Sequence, residues 1–176
     1  MTDRSALVLT ASDRSAAGTR DDTSGQVVAD RLAGLDFAIE RQVVADEQWL
    51  IEEALVAGAD RHPLIVTTGG TGLTPADLTP EMTRRLLDRE IPGIAEAIRT
   101  AGAAAGVPAA ILSRGLAGLA GRTLIVNLPG STGGVKDGMA VLGRILQHAV
   151  DQVHGGDHRP AQDVGEPGGH AGSASG

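Results

Sequence analysis

The chain has 176 residues, a formal net charge of −7 and no cysteine. The lack of cysteine excludes a disulfide framework, a thiolate metal site and a cysteine nucleophile. The acidic balance argues against a nucleic-acid partner, because a nucleic-acid surface needs clustered basic residues. Phe37 and Trp49 are the only aromatic residues, so stacking platforms for bases are nearly absent as well.

The composition predicts one domain followed by a tail. Residues 1–154 provide enough chain for one buried core and too little for two. Residues 155–176 carry many Gly, Pro and Ser and almost no apolar side chains, so we expect them to be disordered. The amino terminus lacks a signal-peptide pattern, and no segment approaches about 18 unbroken apolar residues. We therefore expect a soluble, cytoplasmic protein without a membrane partner.

Strand and helix patterns alternate along the chain. In chain order they are strand 6–12, helix 26–35, strand 37–45, helix 46–59, strand 63–68, a helix from residue 80, helix 93–105, strands 109–115 and 122–131, and helix 134–153. The expected N-caps are one of residues 22–24 for the first helix, Asp46 for the second and Thr79 for the third. The third helix would begin with Pro80, where proline costs least. This order predicts an α/β domain with a mostly parallel sheet and helices on both faces.

Ligands of open α/β sheets bind beyond the carboxyl ends of the strands. Four predicted strand ends carry polar or glycine-rich sequence: TASDRSAAG, VVADEQ, TTGGTGLTPAD and NLPGSTGGVKD. The first supplies Ser12 and Asp13, and the second supplies Asp46. Each of these residues has two interpretations, because an acid such as Asp46 is either a helix N-cap or a ligand for Mg²⁺ together with substrate phosphates.

The third strand end, residues 69–77, is the strongest candidate site. Its glycines permit positive φ and a close approach of backbone N–H groups to an anion. It is neither a Walker loop nor a dinucleotide fingerprint, since no Gly-Lys-Ser/Thr follows and Pro75 replaces the third glycine. An ordinary glycine-rich turn is the alternative, with Asp77 accepting from nearby N–H groups. The candidate binding residues are Gly69, Gly70, Thr71, Gly72, Thr74 and Asp77.

The fourth strand end repeats this logic, with candidates Asn127, Pro129, Gly130 and Ser131 before a helix. The single lysine, Lys136, falls in the predicted first turn of that helix, where the helix dipole disfavours it. A bound anion would remove the conflict, and pairing with Asp137 is the alternative.

The histidines lie near the tail or, like His62, at the amino end of a strand, so a Ser-His-Asp arrangement is not expected. The polar cleft that remains suits phosphoryl or nucleotidyl transfer, in which positioning and metal electrostatics do most of the work.

These segments resemble the MogA/MoaB-type family of molybdenum-cofactor biosynthesis, the molybdopterin adenylyltransferases. The resemblance spans about residues 5–150 and is carried by SDRSAAGTRDDTSG, VVADE, TTGGTGLTPADLTPE, REIPGIAEAIR, AILSRG and NLPGS. It implies a three-layer α/β/α domain, usually trimeric, that binds molybdopterin. It also implies that Mg²⁺ and ATP are used to adenylylate the molybdopterin phosphate with release of pyrophosphate, and that the downstream molybdate-insertion protein is a partner.

The resemblance also assigns residues. It places one catalytic, Mg²⁺-linked acid on Asp46 and a second catalytic acid, an acceptor for pterin N–H groups, on Asp77. It places Ser113 and Ser131 along the cleft. The chain departs from the family at Ala76, where an arginine is common. Two alternatives follow: ATP is bound in the usual way without this arginine, or Arg14, Arg114 or Lys136 substitutes for it. Two alternatives stay open: a non-catalytic pterin-binding member, and a trimeric interaction scaffold of the same fold.

Overall fold

The computed structural model describes residues 4–155. Within this range, strands and helices alternate as the sequence predicts. The elements are β1 (Ser5–Ala11), α1 (Asp13–Ala16), α2 (Thr23–Ala33), β2 (Ala38–Val44), α3 (Gln48–Ala59), β3 (Leu64–Thr68), α4 (Thr79–Leu86), β4 (Arg89–Glu90), α5 (Pro92–Ala104), a 3-10 helix (Pro108–Leu112), β5 (Ala117–Ala120), β6 (Thr123–Leu128), α6 (Thr132–Leu142) and α7 (Leu146–Val153). Nearly all of the predicted disordered tail, residues 156–176, lies outside the described range. No described helix is long and apolar enough to cross a bilayer.

The six strands form one sheet in the order β2-β1-β3-β6-β5-β4. The first four strands are parallel, and β5 and β4 add antiparallel pairings at one edge, so the prediction of a mostly parallel sheet is confirmed. Thr10 of β1 lies opposite Thr68 of β3, and Thr68 lies opposite Leu128 of β6. These three strands therefore end at the same level. The strand order reverses between β1 and β3, which is where such sheets form their ligand crevice.

Two apolar layers cover the sheet because successive side chains of a strand point to opposite faces. In β1, Ala6 and Val8 pack with α2, α5, α6 and α7, whereas Leu7 and Leu9 pack with α3 and α4. Ile65 and Val66 of β3 divide between the two layers in the same way. The expected α/β/α arrangement is thus confirmed.

The predicted strand 109–115 is wrong. The segment begins as the 3-10 helix, in which Ile111 and Leu112 are exposed, and the actual strand is β5, further along the chain. The backbone that follows the 3-10 helix is held from outside the sheet, because Arg99 of α5 donates to the carbonyls of Ser113 and Gly115. The short apolar run of this segment fits a strand and a helical turn equally well, so the sequence pattern did not distinguish the two.

The predicted helix boundaries also need correction. The single helix expected over 134–153 is divided at Gly143 into α6 and α7. The N-cap of α2 is Asp22, as predicted, and it accepts from the Gly25 N–H at 2.8 Å. The N-cap of α3 is Glu47 rather than Asp46. The N-cap of α4 is Leu78, so Thr79 is the first helical residue instead of the cap.

Candidate active site

The loops after β1, β3 and β6 meet at the carboxyl edge of the sheet and enclose a polar cavity of about 350 Å³. We call it the arginine cavity because Arg14 and Arg20, from the segment after β1, line it. The other walls include Ser12, Ser24, Thr68, Gly69, Gly130 and Ser131. Two arginines and several hydroxyl-bearing residues, with Asp21 as the one acid, line this concave surface, a composition suited to phosphate oxygens.

A second cavity of about 610 Å³ adjoins the first and shares Gly130 and Ser131 with it. We call it the apolar cavity, because Leu73, Val107 and Leu112 line it. Its polar lining includes Thr71, Asp77, Ser113 and Asp137, and its remaining walls include Gly70, Gly72 and Pro129. A largely apolar wall with a few convergent polar groups is typical of a site for an organic ring system.

Gly69 and Gly70, at the start of the glycine-threonine loop (residues 69–78), adopt positive φ angles of 92° and 61°. A Cβ atom on Gly69 would lie 2.3 Å from the carbonyl oxygen of Ala11, and one on Gly70 would lie 2.4 Å from Thr79 Oγ1. Both positions therefore require glycine for the backbone conformation and for packing against β1 and α4. The same packing brings the loop between the two cavities.

Asp77 has the local role that the sequence allowed and also lines the apolar cavity. Its Oδ2 accepts from the Thr74 N–H at 2.8 Å and from the Thr74 hydroxyl at 2.6 Å. Burial acts to raise the pKa of Asp77, but the hydrogen bonds from Thr74 and Gly72 and the charge of Arg114 outweigh it, so the pKa lies below its usual value. Asp77 is therefore ionised at neutral pH and can accept from N–H donors.

Asp46 and Asp13 form a reciprocal pair at the ends of β2 and β1. The Asp13 N–H donates to Asp46 Oδ2 at 3.0 Å, and the Asp46 N–H donates to Asp13 Oδ1 at 2.9 Å. Partial burial raises the pKa of Asp46. The hydrogen bond from the Asp13 N–H lowers it, and the negative charges of Asp13 and Asp77 raise it further, so the pKa lies above its usual value. Neither Asp13 nor Asp46 is part of the lining of the two cavities.

This pair fits a divalent cation bound mainly by substrate oxygens. Residues 4–155 contain no cluster of three or more His, Asp or Glu side chains that could hold a metal alone. Mg²⁺ commonly uses one or two carboxylates together with phosphates and water. The two hydrogen bonds use one oxygen of each carboxylate, and a cation would offset both the burial and the carboxylate repulsion that raise the pKa of Asp46.

The structure does not bring every predicted residue to a cavity. Asn127 is buried and donates to Thr67 and Thr83, so it joins β6, β3 and α4. Lys136 is exposed, lies beyond the first turn of α6 and lines neither cavity. Thr74 contributes through its bonds to Asp77.

Sequence reasoning missed Arg20 and Thr10, which line the arginine cavity. The only available signal for Arg20 was a basic side chain in the polar segment after β1. Thr10 lies within an apolar strand run, and its hydroxyl donates to Asp22 at 3.0 Å. Arg41 of β2 also pairs with Asp22 at 2.7 Å and so helps to hold the start of α2 beside this cavity.

His62 lies at the opposite edge of the sheet, as the sequence indicated. Its Nδ1 is 3.1 Å from Ser5 Oγ, and its Nε2 is 3.0 Å from Glu40 Oε2. Arg61 also pairs with Glu40. This cluster joins the starts of β1 and β3 to β2. It lines neither cavity and does not contribute to the candidate site.

The fold and the site define the class of the protein: an α/β domain whose sheet carries two adjoining ligand cavities and a carboxylate pair at its carboxyl edge. The family described as the probable molybdopterin binding domain (MoCF_biosynth) matches residues 7–148. The chain belongs to this family and thus to molybdenum-cofactor biosynthesis, as the sequence motifs indicated.

Curated relatives and solved structures agree with this membership. The chain is 37% identical over 155 residues to the molybdopterin adenylyltransferase of Helicobacter pylori (strain J99), covering 84% of this chain and 86% of that protein. It is 43% identical over 151 residues to the Drosophila melanogaster molybdenum cofactor synthesis protein cinnamon, covering 83% of this chain but only 25% of the fly protein. The structure of the molybdopterin biosynthesis Mog protein from Mycobacterium ulcerans has 49% identity and a TM-score of 0.81, covering 85% of this chain and 99% of that chain.

Proposed function

We propose that this protein is a molybdopterin adenylyltransferase that transfers AMP from Mg²⁺-ATP to the terminal phosphate of molybdopterin and releases pyrophosphate. The observation that carries the proposal is the junction of two unlike cavities at Gly130 and Ser131, because the reaction must hold a phosphate chain and a ring system side by side. The names of relatives that the chain matches over most of their length support it.

The chemistry of the linings suggests which substrate each cavity takes. Arg14 and Arg20 suit the ATP phosphates, since guanidinium groups bind phosphate oxygens with paired hydrogen bonds. Ser131 caps α6 by accepting from the Gly134 N–H, so the amino end of that helix adjoins both cavities. The apolar cavity suits the pterin, whose N–H donors would be accepted by ionised Asp77.

The reaction needs positioning more than covalent chemistry by the protein. An oxygen of the molybdopterin phosphate attacks the α-phosphorus of ATP, a new P–O bond forms, and the bond to pyrophosphate breaks with the electron pair leaving on pyrophosphate. Asp46, with Asp13, would hold Mg²⁺, which supplies neutralisation of the phosphate charges. The protein orients the two phosphates across Gly130 and Ser131, where the cavities meet.

The residue at position 76 bears on how ATP is bound. Position 76 is an exposed alanine, and because it carries no guanidinium it contributes no cation to the site. Of the suggested substitutes, Lys136 is outside both cavities, and Arg114 is bound to the glycine-threonine loop. Arg14 is the substitute that lines the arginine cavity, and Arg20 lies with it.

Purified protein incubated with molybdopterin, Mg²⁺ and ATP should yield adenylylated molybdopterin and pyrophosphate. Asp46→Asn should lose product while retaining pterin binding, and Asp60→Asn, at the far end of α3, should behave as wild type. Tight pterin binding by wild type without any product would instead support a non-catalytic pterin-binding member. We also propose a homotrimer, and sizing chromatography, alone and with a molybdate-insertion protein, tests both the assembly and that partner.

A further inference from the structure

Arg114 contacts the glycine-threonine loop at several points without lining the apolar cavity. Its backbone N–H donates to the Thr71 carbonyl at 2.9 Å. Its Nε donates to the Gly72 carbonyl at 2.6 Å, and a terminal nitrogen donates to the Asp77 carbonyl. The residue thus holds both ends of the six-residue segment whose last member is Asp77.

The remaining terminal nitrogen of Arg114 pairs with Glu81 in the first turn of α4. The other carboxylate oxygen of Glu81 is buried without a hydrogen-bond partner in the described part of the chain. The positive charge of Arg114 therefore offsets the free-energy cost of partly burying the Glu81 carboxylate. The pairing also fixes the plane of the guanidinium, which has to satisfy Gly72, Asp77 and Glu81 together.

The loop has few other restraints between Gly72 and Asp77. Its internal bonds join Asp77 to Thr74 and Gly72, and they fold the segment on itself without attaching it to the sheet or to a helix. The attachment to the sheet side of the domain passes through Arg114, which stands between the 3-10 helix and β5. A lysine has one ammonium group on a flexible stem and cannot replace this planar set of donors.

We propose that Arg114, with Glu81, is a positioning residue that holds the glycine-threonine loop so that Asp77 faces the ligand of the apolar cavity. Loss of the guanidinium releases the loop and weakens binding in the apolar cavity, while the arginine cavity, to which this loop contributes only Gly69, outside the segment that Arg114 holds, is unaffected. The expected weakening of pterin binding rests on the proposed function. The restraint of the loop by Arg114 is independent of it.

The test uses Arg114→Lys and Glu81→Gln, with Arg85→Lys as the matched control, because Arg85 lies on α4 like Glu81 but makes an exposed ion pair with Glu52. Amide hydrogen exchange of the peptides covering residues 70–78 should be about tenfold faster in Arg114→Lys, the size expected for one lost charge-assisted hydrogen bond. Exchange in β1 and β6 should not change, and Arg85→Lys should match wild type. Unchanged exchange in the loop of Arg114→Lys would overturn the proposal, with or without ligand.

Ligand titrations then separate positioning from general damage. In Arg114→Lys the molybdopterin Kd and KM should rise about tenfold, whereas the KM for ATP should stay within about twofold. Glu81→Gln, which keeps the arginine, should show a smaller change in the same direction and serves as the readout if Arg114→Lys does not fold. Equal losses for both substrates would contradict positioning. Absence of product from wild type would reject the proposed function while leaving the exchange result to decide the role of Arg114.

Discussion

Gly69→Ala should destabilise the domain strongly, because the new methyl group has no room. Its Cβ would lie 2.3 Å from the Ala11 carbonyl oxygen, a backbone atom of β1, and β1 is held between β2 and β3. Relieving such an overlap costs about 1–3 kcal/mol. The φ of 92° adds about 1–2 kcal/mol for a residue with a side chain. We expect the free energy of unfolding to fall by about 2–5 kcal/mol.

Two control variants separate the parts of this cost. Gly121 has φ of 57° and open space around its Cβ, so Gly121→Ala should lose only the conformational part, about 1–2 kcal/mol. Gly133, in α6, has open space and no positive φ, so Gly133→Ala should be about 0.5–1 kcal/mol more stable than wild type. Urea denaturation followed by circular dichroism measures all three. A cost for Gly69→Ala no larger than that for Gly121→Ala would show that the loop yields freely, and the packing argument would be refuted.

Two carboxyl groups should change the pH dependence of stability in opposite directions. Burial acts to raise the pKa of Asp22, but hydrogen bonds from Arg41, Gly25 and Thr10 and the charge of Arg41 lower it overall. Its contribution is therefore present above the unfolded pKa of about 3.9 and is lost as pH falls through the folded value. Asp22→Asn should be less stable at pH 7 by about 1–3 kcal/mol, and denaturation curves should show this difference shrinking below pH 4; a constant difference would contradict the linkage. The pKa of Asp46 is raised, chiefly by burial, so its contribution to stability is present below the unfolded pKa of about 3.9 and is lost as the pH rises through the folded value. Asp46→Asn should raise the Tm at pH 7 and lose the advantage in acid, and a lower Tm at pH 7 would count against this account.

Local chemistry predicted much of the candidate site. The glycine-threonine loop, which contains Asp77, and Ser131 at the start of α6 were identified because each follows a strand pattern and precedes a helix. Arg114 shows the limit of this reasoning. The sequence offered it only as one of three possible substitutes for the arginine missing at position 76, but its partners Gly72, Asp77 and Glu81 lie 33 to 42 positions away in the chain, and spacing along the sequence gives no access to such contacts.

The sequence by itself determined the α/β class, the parallel strands, the glycine positions and the motifs of the family. These properties depend on the period of apolar residues and on the conformations open to single residues, both of which are local. Only the tertiary structure decided that two cavities share Gly130 and Ser131, that Asp13 and Asp46 bond to each other, and that residues 109–115 do not form a strand. Each of these depends on which segments become neighbours when the whole sheet is assembled, and that is set by packing across the domain.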